Sequence, residues 1–313
     1  MDNNRIEQVN SIFEQPWWLE AAAPGRWGAA EVEKGGKLVA RMPYVRTKRL
    51  GFKLLGMPEY THTLGCWVED TGARNSKKYA RKKDLIQDLI SRLPKGFNVD
   101  LALDHSCDYL FPFRWNGYTL QMQYSYRIED IRDPEKLWGG LAENIRTDIR
   151  KAQKILTVED DHPIDDLILM QNMTFRRQGR KLKNADEQLR RMDEALTQHD
   201  ARKLLCAVDS DGRIHAAAYF VYDSRCCYYL IGGADPELRN SGASSLLVWE
   251  GLKFASTVSE SFDFEGSMIE PVERFFRAFG GVPTPYWRVA KLNPILSLAD
   301  YLKPRIKKII GWK

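Results

Sequence analysis

The stretch from 226 to 266 constrains the fold more than any other part of this sequence. A strand-like apolar run over 226–231 is followed by two glycines, and a second short run over 262–265 is followed by another glycine. Between them, small residues at 241–245 begin an apolar segment of helical length. A strand, a turn of small residues, a helix and a second strand leave free backbone N–H groups at the helix start, where phosphorylated ligands bind. The stretch therefore predicts a β-α-β unit with an anion-binding helix start.

Size and composition indicate a folded, mildly basic protein. The 313 residues are enough for about two domains of ordinary size. Hydrophobic residues make up 43% of the sequence and aromatic residues 11%, so the chain can bury a sizeable core and is not a disordered protein. The net charge of +5 suits anionic ligands or surfaces, but it is too small to indicate nucleic acid, and we expect no DNA partner.

Cysteine, histidine and targeting signals narrow the class further. The five cysteines lack the C-x-x-C spacing of metal sites, and the five histidines are scattered. Cys226 and Cys227 are adjacent in a predicted strand, where neighbouring side chains point to opposite faces. We therefore predict reduced core cysteines and no metal. The sequence has no apolar signal region at its start and no apolar run of membrane-spanning length, so we expect a cytoplasmic protein.

Two regions of the chain repeat one another. A hairpin signal at 32–40 aligns with one at 208–216, because both contain a valine, an acidic residue, a glycine turn and an alternating run. A second alignment places 113–117 over 276–280, with the same Phe-Arg pair and the same glycine. The predicted helices and strands also follow in the same order, which indicates two copies of one α/β unit. The expected domains are 1–128, 129–292 and a tail at 293–313.

The two copies differ at the start of the helix in question. The second copy reads Gly-Ala-Ser at 242–244, whereas the alignment places Tyr-Ala-Arg at 79–81 in the first copy. Bulky side chains at this place would keep a phosphate away from the backbone amides. We therefore expect the second copy to bind a phosphorylated donor and the first copy to supply a wall of a cleft.

The residues around 239 resemble a known motif. Arg239-x-x-Gly242-x-Ser244 is similar to the pyrophosphate loop of GNAT acyltransferases, commonly Gln/Arg-x-x-Gly-x-Gly/Ala, and it stands between a strand and a helix as that loop does. The whole chain also resembles the tandem-GNAT arrangement of the Fem-type peptidoglycan-bridge aminoacyltransferases and of FemAB-like acyltransferases. The stretches that carry this resemblance are 16–19, 42–45, 264–267 and 272–280. Ser244 departs from the usual Gly or Ala, and the long coiled-coil arm of some Fem enzymes is missing.

The resemblance implies a mixed α/β fold of two tandem GNAT-like domains with a cleft between them, and N-acyltransferase activity. The implied donor is an acyl-CoA, such as acetyl-CoA. The implied acceptor is an amine of a cell-envelope or capsule precursor, an amino sugar or a peptidoglycan precursor that is a small molecule or is linked to a lipid or nucleotide. The residues expected to bind the donor are Ile231, Gly232, Gly233, Arg239, Asn240, Ser241, Gly242, Ala243 and Ser244. The alternative for this loop is an ordinary helix capped by Ser241.

Two carboxylates are the candidate catalytic residues. Asp263 and Glu265 alternate with phenylalanines, so both are predicted on one side of a strand beside the loop. A carboxylate there can take the proton of an attacking amine, and two neighbouring carboxylates push one pKa upward. We favour Glu265 as the base. The alternative is that both carboxylates pair with arginines or face solvent.

Five residues are candidates for binding the acceptor. Arg176 and Arg177 begin a basic loop that can bind phosphates or carboxylates bidentately, although such a charge run is also typical of a solvated surface. Tyr44, Tyr60 and His62 are expected to face the cleft from the first copy, where aromatic rings stack on sugars. Their alternative is an ordinary place in the core or at its rim.

The tail and the donor leave alternatives open. The tail at 293–313 mixes basic and apolar residues, which favours peripheral contact with the inner face of an anionic membrane, or docking on the body of the protein. For the donor, the alternative is aminoacyl-tRNA, as in Fem-type enzymes, but the modest net charge and the missing arm favour acyl-CoA. A different class is a degenerate GNAT interaction module, which the intact loop argues against.

Overall fold

The computed structural model describes residues 7–177, 185–266 and 268–309. At 177, 185 and 303–309 it describes the backbone but not the side chains. The chain forms two compact units. The first extends to Gln123 and resumes at Tyr286, and the second is Tyr124–Pro285. Every helix within the described residues is too short or too polar to cross a lipid bilayer.

Strands and helices alternate along the chain. The strands are β1 (Trp27–Lys34), β2 (Lys37–Arg49), β3 (Phe52–Gly56), β4 (Trp67–Val68), β5 (Asn98–Leu103), β6 (Thr119–Ile128), β7 (Leu156–Glu159), β8 (Arg202–Asp209), β9 (Ile214–Tyr222), β10 (Cys226–Ala234), β11 (Ser261–Asp263) and β12 (Val282–Lys291). The α-helices are α1 (Pro16–Ala22), α2 (Asn75–Arg92), α3 (Phe111–Trp115), α4 (Pro134–Gly140), α5 (Glu143–Ala152), α6 (Ile164–Arg177), α7 (Ala185–Gln198), α8 (Ala243–Val258), α9 (Glu270–Arg277) and α10 (Pro294–Ile309).

The first unit is built on the strand order β1-β2-β3-β5-β12. β1 and β2 form the predicted hairpin, and β3 is antiparallel to β2. β5 is parallel to β3, and β12 is antiparallel to β5. Helix α2 packs on β1 and β2 through Leu85, Ile86 and Leu89, which are buried in the same core as Met42 and Leu101.

The second unit has the strand order β6-β11-β10-β9-β8-β7. β10 and β11 are parallel, whereas the other neighbours are antiparallel. Tyr219 and Phe220 of β9 point to opposite faces: the Tyr219 hydroxyl donates to Asp193 of α7 at 2.6 Å, and the Phe220 ring lies against Gly251 of α8. The sheet therefore separates α8 from α7, with α5 packed beside α8.

The strands of the two units pair in the same pattern. β5 begins its parallel pairing at Asn98 opposite Leu54, and β11 begins at the aligned residue Ser261 opposite Cys226. Each hairpin also carries a register shift near the end of its first strand, after Val32 in β1 and after Ala207 in β8. The predicted α/β class, with two similar units, is confirmed.

Two predicted helices are interrupted. The helix expected over 11–22 is a 3-10 turn followed by α1, because Pro16 has no N–H to continue the first turn. The spacing of Ser11 and Glu14 predicts a capping box with Ser11 as the cap, but Glu14 instead accepts the Gly65 N–H at 2.9 Å. The helix expected over 134–155 is divided into α4 and α5, since Ala142 turns away and donates its N–H to the Ala278 carbonyl at 2.8 Å.

Candidate active site

The parallel strands β10 and β11 separate soon after they begin. Their pairing covers Cys226 to Tyr228 opposite Ser261 to Asp263. Beyond this point β10 stays paired with β9 on its other side, with a register shift after Tyr229 that marks a bulge. The edge of β10 over 229–234 has no strand neighbour on the β11 side among the described residues. Backbone N–H and C=O groups on this edge are therefore open to a ligand.

Ile231, Gly232 and Gly233, which were predicted to bind the donor, lie on this open edge. A Cβ at Gly233 would collide with the backbone of Met170 in α6, and one at Gly232 would overlap the hydroxyl of Tyr229. The two glycines are thus required by close packing. Because neither glycine has a side chain, a ligand at these two positions can contact only backbone atoms.

The helix that follows β10 starts at a residue without a capping side chain. Residues Arg239–Ser241 form a 3-10 turn, and Gly242, with a φ of +80°, is the N-cap of α8 in place of the alternative Ser241. The Ser241 hydroxyl accepts the Ala243 N–H at 3.4 Å, but the N–H groups of Ser244 and Ser245 donate to no residue in the described part of the chain. Unpaired N–H groups at the positive end of a helix dipole are the arrangement that binds phosphate groups.

Helix α5 holds this loop in place. A Cβ at Gly242 would lie 2.5 Å from the carbonyl oxygen of Asp148, so only glycine allows both the positive φ and the close approach. The Lys151 ammonium donates to the carbonyl of Asn240 at 2.7 Å. Arg239 is exposed and makes no ion pair with a described residue, so its guanidinium is available to an anion beside the helix start.

Glu265 lies just beyond β11, in an unusual conformation. Its φ is +57°, which is uncommon outside glycine and recurs at functional sites. Its N–H donates to Asp263 Oδ1 at 2.7 Å, whereas its own Oε1 has no accessible surface and no hydrogen-bond partner among the described residues. Burial, reinforced by the charge of Asp263, raises the pKa of Glu265 well above its usual range. A raised pKa favours a carboxyl group that takes up a proton.

Asp263 is a structural partner of this group. Its Oδ2 accepts from Arg127 Nη1 at 2.8 Å, and its Oδ1 accepts from the Ser125 hydroxyl as well as from the Glu265 N–H. Both Asp263 and Arg127 are buried, with side chains 5% exposed. The expectation that Asp263 and Glu265 share one side of a strand is wrong, because β11 ends at Asp263. With both oxygens engaged, Asp263 holds the turn that carries Glu265.

These groups meet at one edge of the sheet. Because β10 and β11 are parallel, the segments that follow them emerge at the same edge, so the helix start and Glu265 lie on the same side as the open strand. Helix α6 reaches this edge as well, since the Thr174 hydroxyl accepts the Ala234 N–H at 3.1 Å. Arg176 lies two residues further along α6 and is exposed.

Comparison with known proteins explains this arrangement. Residues 140–266 match the family model of the acetyltransferase (GNAT) domain, a range that contains β10, the uncapped helix start and Glu265. This part of the chain is therefore similar to a GNAT acetyltransferase domain, which supports acyltransferase activity.

Solved structures with the fold of this acyltransferase cover most of its chain. FemX shares 13% identity at a TM-score of 0.66, covering 89% of this chain and 92% of that one. The C-terminal domain of a protein from Agrobacterium fabrum, named as a lysylphosphatidylglycerol synthetase, shares 13% at 0.58, covering 88% and 87%. L-PGS from Bacillus licheniformis shares 11% at 0.51, covering 90% and 89%. No curated protein matches the sequence. At these identities the likeness is one of fold.

The remaining predicted residues of the acyltransferase have other surroundings. Tyr44 is buried in β2 of the first unit, with the Arg46 guanidinium 5.3 Å from its ring centre, so the expectation that it faces a ligand is wrong. Tyr60 has a φ of +57°, and the His62 ring lies 4.8 Å from that of Tyr286. The side chain of Arg177 and the loop at 178–184 fall outside the described residues.

Lys151, Asp148 and Arg127 support the site but were not predicted. They lie on α5 and β6, at least 89 residues from the loop or strand that they contact. No local pattern marks them, because their role depends on how the helices and strands pack.

Proposed function

We propose that this acyltransferase moves an acyl group from an acyl-CoA, such as acetyl-CoA, to an amine. One observation supports the proposal above the others: an uncapped helix start, an open strand edge and a buried carboxyl group without a partner lie at the same edge of one sheet. Each of the three matches one chemical part of the reaction. These are the pyrophosphate of the donor, its acyl carbonyl and the amine of the acceptor.

The donor would be held mainly by backbone. The N–H groups of Ser244 and Ser245 are unpaired and can bind the pyrophosphate, with Arg239 adding a positive charge from the preceding turn. The strand edge around Ile231 to Gly233 can pair with the donor as a neighbouring strand would, and an N–H there can bind the acyl oxygen as it gains negative charge.

Glu265 is the proposed general base. The amine nitrogen forms a bond to the acyl carbon, the bond from that carbon to the sulfur of the donor breaks, and the sulfur takes the electron pair. The proton released by the amine passes to the Glu265 carboxylate, directly or through one water. Burial raises the pKa of Glu265, which makes it a stronger base once ionised than an exposed glutamate. Asp263 orients it through the Glu265 N–H.

The proposed acceptor is an amine of a cell-envelope or capsule precursor. The primary support is the resemblance to Fem-type enzymes, together with the name of one fold relative, which describes a lysyl group on a phospholipid. Arg176, exposed at the end of α6, is the proposed contact for a phosphate or carboxylate of the acceptor. In the first unit, Tyr60 and His62 are the residues that we propose as further contacts for the acceptor.

We propose that the tail brings the acyltransferase to an anionic membrane. Helix α10 exposes Ile295, Leu298 and Tyr301, which are spaced by three residues and form one apolar stripe. The sequence beyond Asp300 contains lysines and arginine but no acidic residue. An apolar stripe that leads into a basic segment is typical of helices that lie on anionic lipid surfaces.

Calorimetry with acetyl-CoA tests the donor. We expect the wild-type protein to bind acetyl-CoA and CoA alike, because the pyrophosphate is common to both, and to bind a CoA analogue without the pyrophosphate far more weakly. A folded wild-type protein that gives no heat of binding with either ligand would remove acyl-CoA as the donor.

A Glu265→Gln variant tests the base. We expect kcat to fall by about 10²- to 10⁴-fold with the KM for the donor little changed, since the side chain acts on the amine. Wild-type kcat should rise with pH through the raised pKa of Glu265, and the variant should lose that limb. Glu260→Gln is the matched control, because Glu260 is exposed five residues away. Full turnover by Glu265→Gln would contradict the assignment.

Aminoacyl-tRNA is the second candidate donor, favoured by the fold relative whose name specifies a lysyl product. An aminoacyl ester has the same acyl carbon but an oxygen leaving group. Transfer of a labelled aminoacyl group from charged tRNA, in the absence of any acetyl-CoA binding, would select this donor. Both assays use the same acceptor preparation, so a difference between them reports the donor alone.

A further inference from the structure

Four aromatic side chains of the first unit form a continuous cluster at its surface. The aromatic cluster consists of Tyr79, Tyr109, Phe111 and Trp115, with ring centres 5.3 Å, 5.5 Å and 5.7 Å apart in that order. Phe111 is 58% exposed and Trp115 is 57% exposed. Contiguous exposed apolar surface of this kind marks an interaction site more often than a scattered hydrophobic residue does.

The fold itself does not require the aromatic cluster. The positions of the second unit that align with its four members are Gly242, Val272, Arg274 and Ala278, and none of these is aromatic. The same fold is therefore complete without the rings. Pro112 and Phe113, on the same short helix as Phe111 and Trp115, are buried and fix that helix to the core. The first unit thus carries an added aromatic surface on a firm base.

Positive charges without partners surround the aromatic cluster. Arg74, Lys77 and Arg114 are exposed and form no ion pair with any residue that the structure describes. Arg74, the N-cap of α2, and Lys77 precede Tyr79 by five and two residues, and Arg114 lies between Phe111 and Trp115 in sequence. The Lys82 ammonium is 5.9 Å from the Tyr79 ring centre, but it is already paired with Asp108. The surroundings of the cluster therefore favour an anionic partner.

The geometry of the rings separates two kinds of anionic partner. The Tyr79 and Tyr109 rings are stacked at 29°, and the Phe111 and Trp115 rings at 27°. Each ring therefore covers one face of its neighbour, a face that a nucleic acid base would need for stacking. A lipid headgroup region requires no free ring face, since it accepts the exposed area and edges of Phe, Trp and Tyr beside cationic side chains.

We propose that the first unit docks on an anionic lipid bilayer through the aromatic cluster, with Phe111 and Trp115 inserted among the headgroups. Arg74, Lys77 and Arg114 lie against anionic lipid phosphates in this arrangement. This docking is independent of the donor and of Glu265, because every residue in it belongs to the first unit. It is also separate from the apolar stripe of α10, and a bilayer can engage either one alone.

Vesicle flotation of the full-length protein tests the proposal. The probes are phosphatidylcholine vesicles with and without phosphatidylglycerol. We expect wild-type protein to float with the anionic vesicles, and Phe111→Ser/Trp115→Ser to lower its partition coefficient by about tenfold or more. Arg74→Gln/Lys77→Gln/Arg114→Gln should remove most of the preference for anionic lipid, and added salt should weaken wild-type binding.

Matched variants make the result specific. Ile155→Ser/Leu169→Ser removes two exposed apolar side chains from the second unit and should leave binding unchanged. Leu298→Ser/Tyr301→Ser removes two side chains of the apolar stripe of α10. Its vesicle binding therefore measures the contribution of the stripe separately from that of the aromatic cluster. Unchanged thermal unfolding of Phe111→Ser/Trp115→Ser shows that the variant is folded, as expected for exposed side chains. The proposal is overturned if that variant floats like wild type. It is also overturned if the variant loses affinity for a single-stranded oligonucleotide in fluorescence anisotropy while its vesicle binding is kept.

Discussion

The two units contain the same pair of parallel strands, but the space beside that pair is used differently. In the first unit, β3 and β5 separate after Leu55 and Val99, and the following chain returns so that Leu64 donates its N–H to the Ala102 carbonyl at 2.7 Å. In the second unit, the backbone bond formed just after β11 runs from the Phe264 N–H to the Tyr126 carbonyl of β6, on the side of β11 away from β10. In the first unit the backbone of the returning chain thus occupies the space between the separating strands. In the second unit the corresponding edge of β10 stays open.

The alignment that relates the units also relates their acidic residues. Ala102 aligns with Glu265, and Asp100 aligns with Asp263. Each aspartate binds an arginine, Arg288 in the first unit and Arg127 in the second. The arginine-bound aspartate is therefore common to both copies and belongs to the fold. The free carboxyl group is present only where the strand edge is open, which is the reason to connect it with chemistry.

The largest expected effect comes from the two aspartates. Asp263→Asn should lower the free energy of unfolding by about 3 to 5 kcal/mol, since it leaves the buried Arg127 charge with the exposed Glu129 as its anionic partner. Asp100→Asn should cost about 1 kcal/mol, because Asp100 and Arg288 are 18% and 19% exposed and water can solvate both. Urea unfolding of both variants measures the difference. Equal losses would show that the buried pair has no special role in the second unit.

The next largest effect tests the helix start against an unconstrained glycine. Gly242→Ala should lower the free energy of unfolding by about 2 to 4 kcal/mol, combining a positive φ with a collision against the Asp148 carbonyl. It should also weaken binding of acetyl-CoA at least about tenfold if the proposed donor is correct. Gly117→Ala is the control, because Gly117 has a φ of +79° and nothing within 4 Å of its Cβ position.

Gly117→Ala should cost only about 1 to 2 kcal/mol, the strain of the positive φ alone. Acetyl-CoA should bind it as tightly as the wild type, since Gly117 belongs to the first unit. A donor affinity that fell equally in both glycine variants would mean that general destabilisation, and not the helix start, controls binding. The unfolding comparison remains valid whichever donor is used.

Local sequence patterns predicted the parts of the site that are continuous in the chain. The turn before α8 depends on neighbouring residues, so the spacing of small residues in the sequence predicted where this turn lies. The same spacing identified Glu265 as a residue near the predicted donor site. The five cysteines are buried and none forms a disulfide, as predicted. Tyr44 was expected to face the cleft because of the resemblance to tandem-GNAT proteins, but β2 is buried throughout 39–45.

The parts of the site that depend on tertiary packing left no local signal. Arg127 is 136 residues from the Asp263 that it binds, and Asp148 meets Gly242 only because α5 packs on the start of α8. The sequence predicts Glu14 as part of a capping box at a helix start, whereas its carboxylate accepts the N–H of Gly65 in the segment that returns to β5. A capping motif and a long-range contact use the same residue type, and only the fold distinguishes them.

A further comparison concerns a second buried carboxyl group, Glu14, in the closed unit. Its oxygens accept N–H groups of Asn10 and Gly65, so it fastens the returning chain to the core. Burial, with a contribution from the nearby charge of Asp104, raises the pKa of Glu14 from 4.5 to about 7. Like Glu265 it resists ionisation, but it has no open strand edge beside it. It should therefore affect stability and not the reaction.

The sign of this effect follows from the raised pKa. Between about pH 4.5 and pH 7 the folded state holds a proton on Glu14 that the unfolded state has released. The contribution of Glu14 is thus fully present below pH 4.5 and is lost as the pH rises to about 7, a change of about 3 kcal/mol at most. Urea unfolding from pH 5 to pH 8 should show this loss in the wild type and not in Glu14→Gln.

The same variant should keep the wild-type dependence of kcat on pH, which Glu265→Gln should abolish. If Glu14→Gln instead removed the pH dependence of kcat, the closed unit would take part in the chemistry and the contrast between the two units would fail.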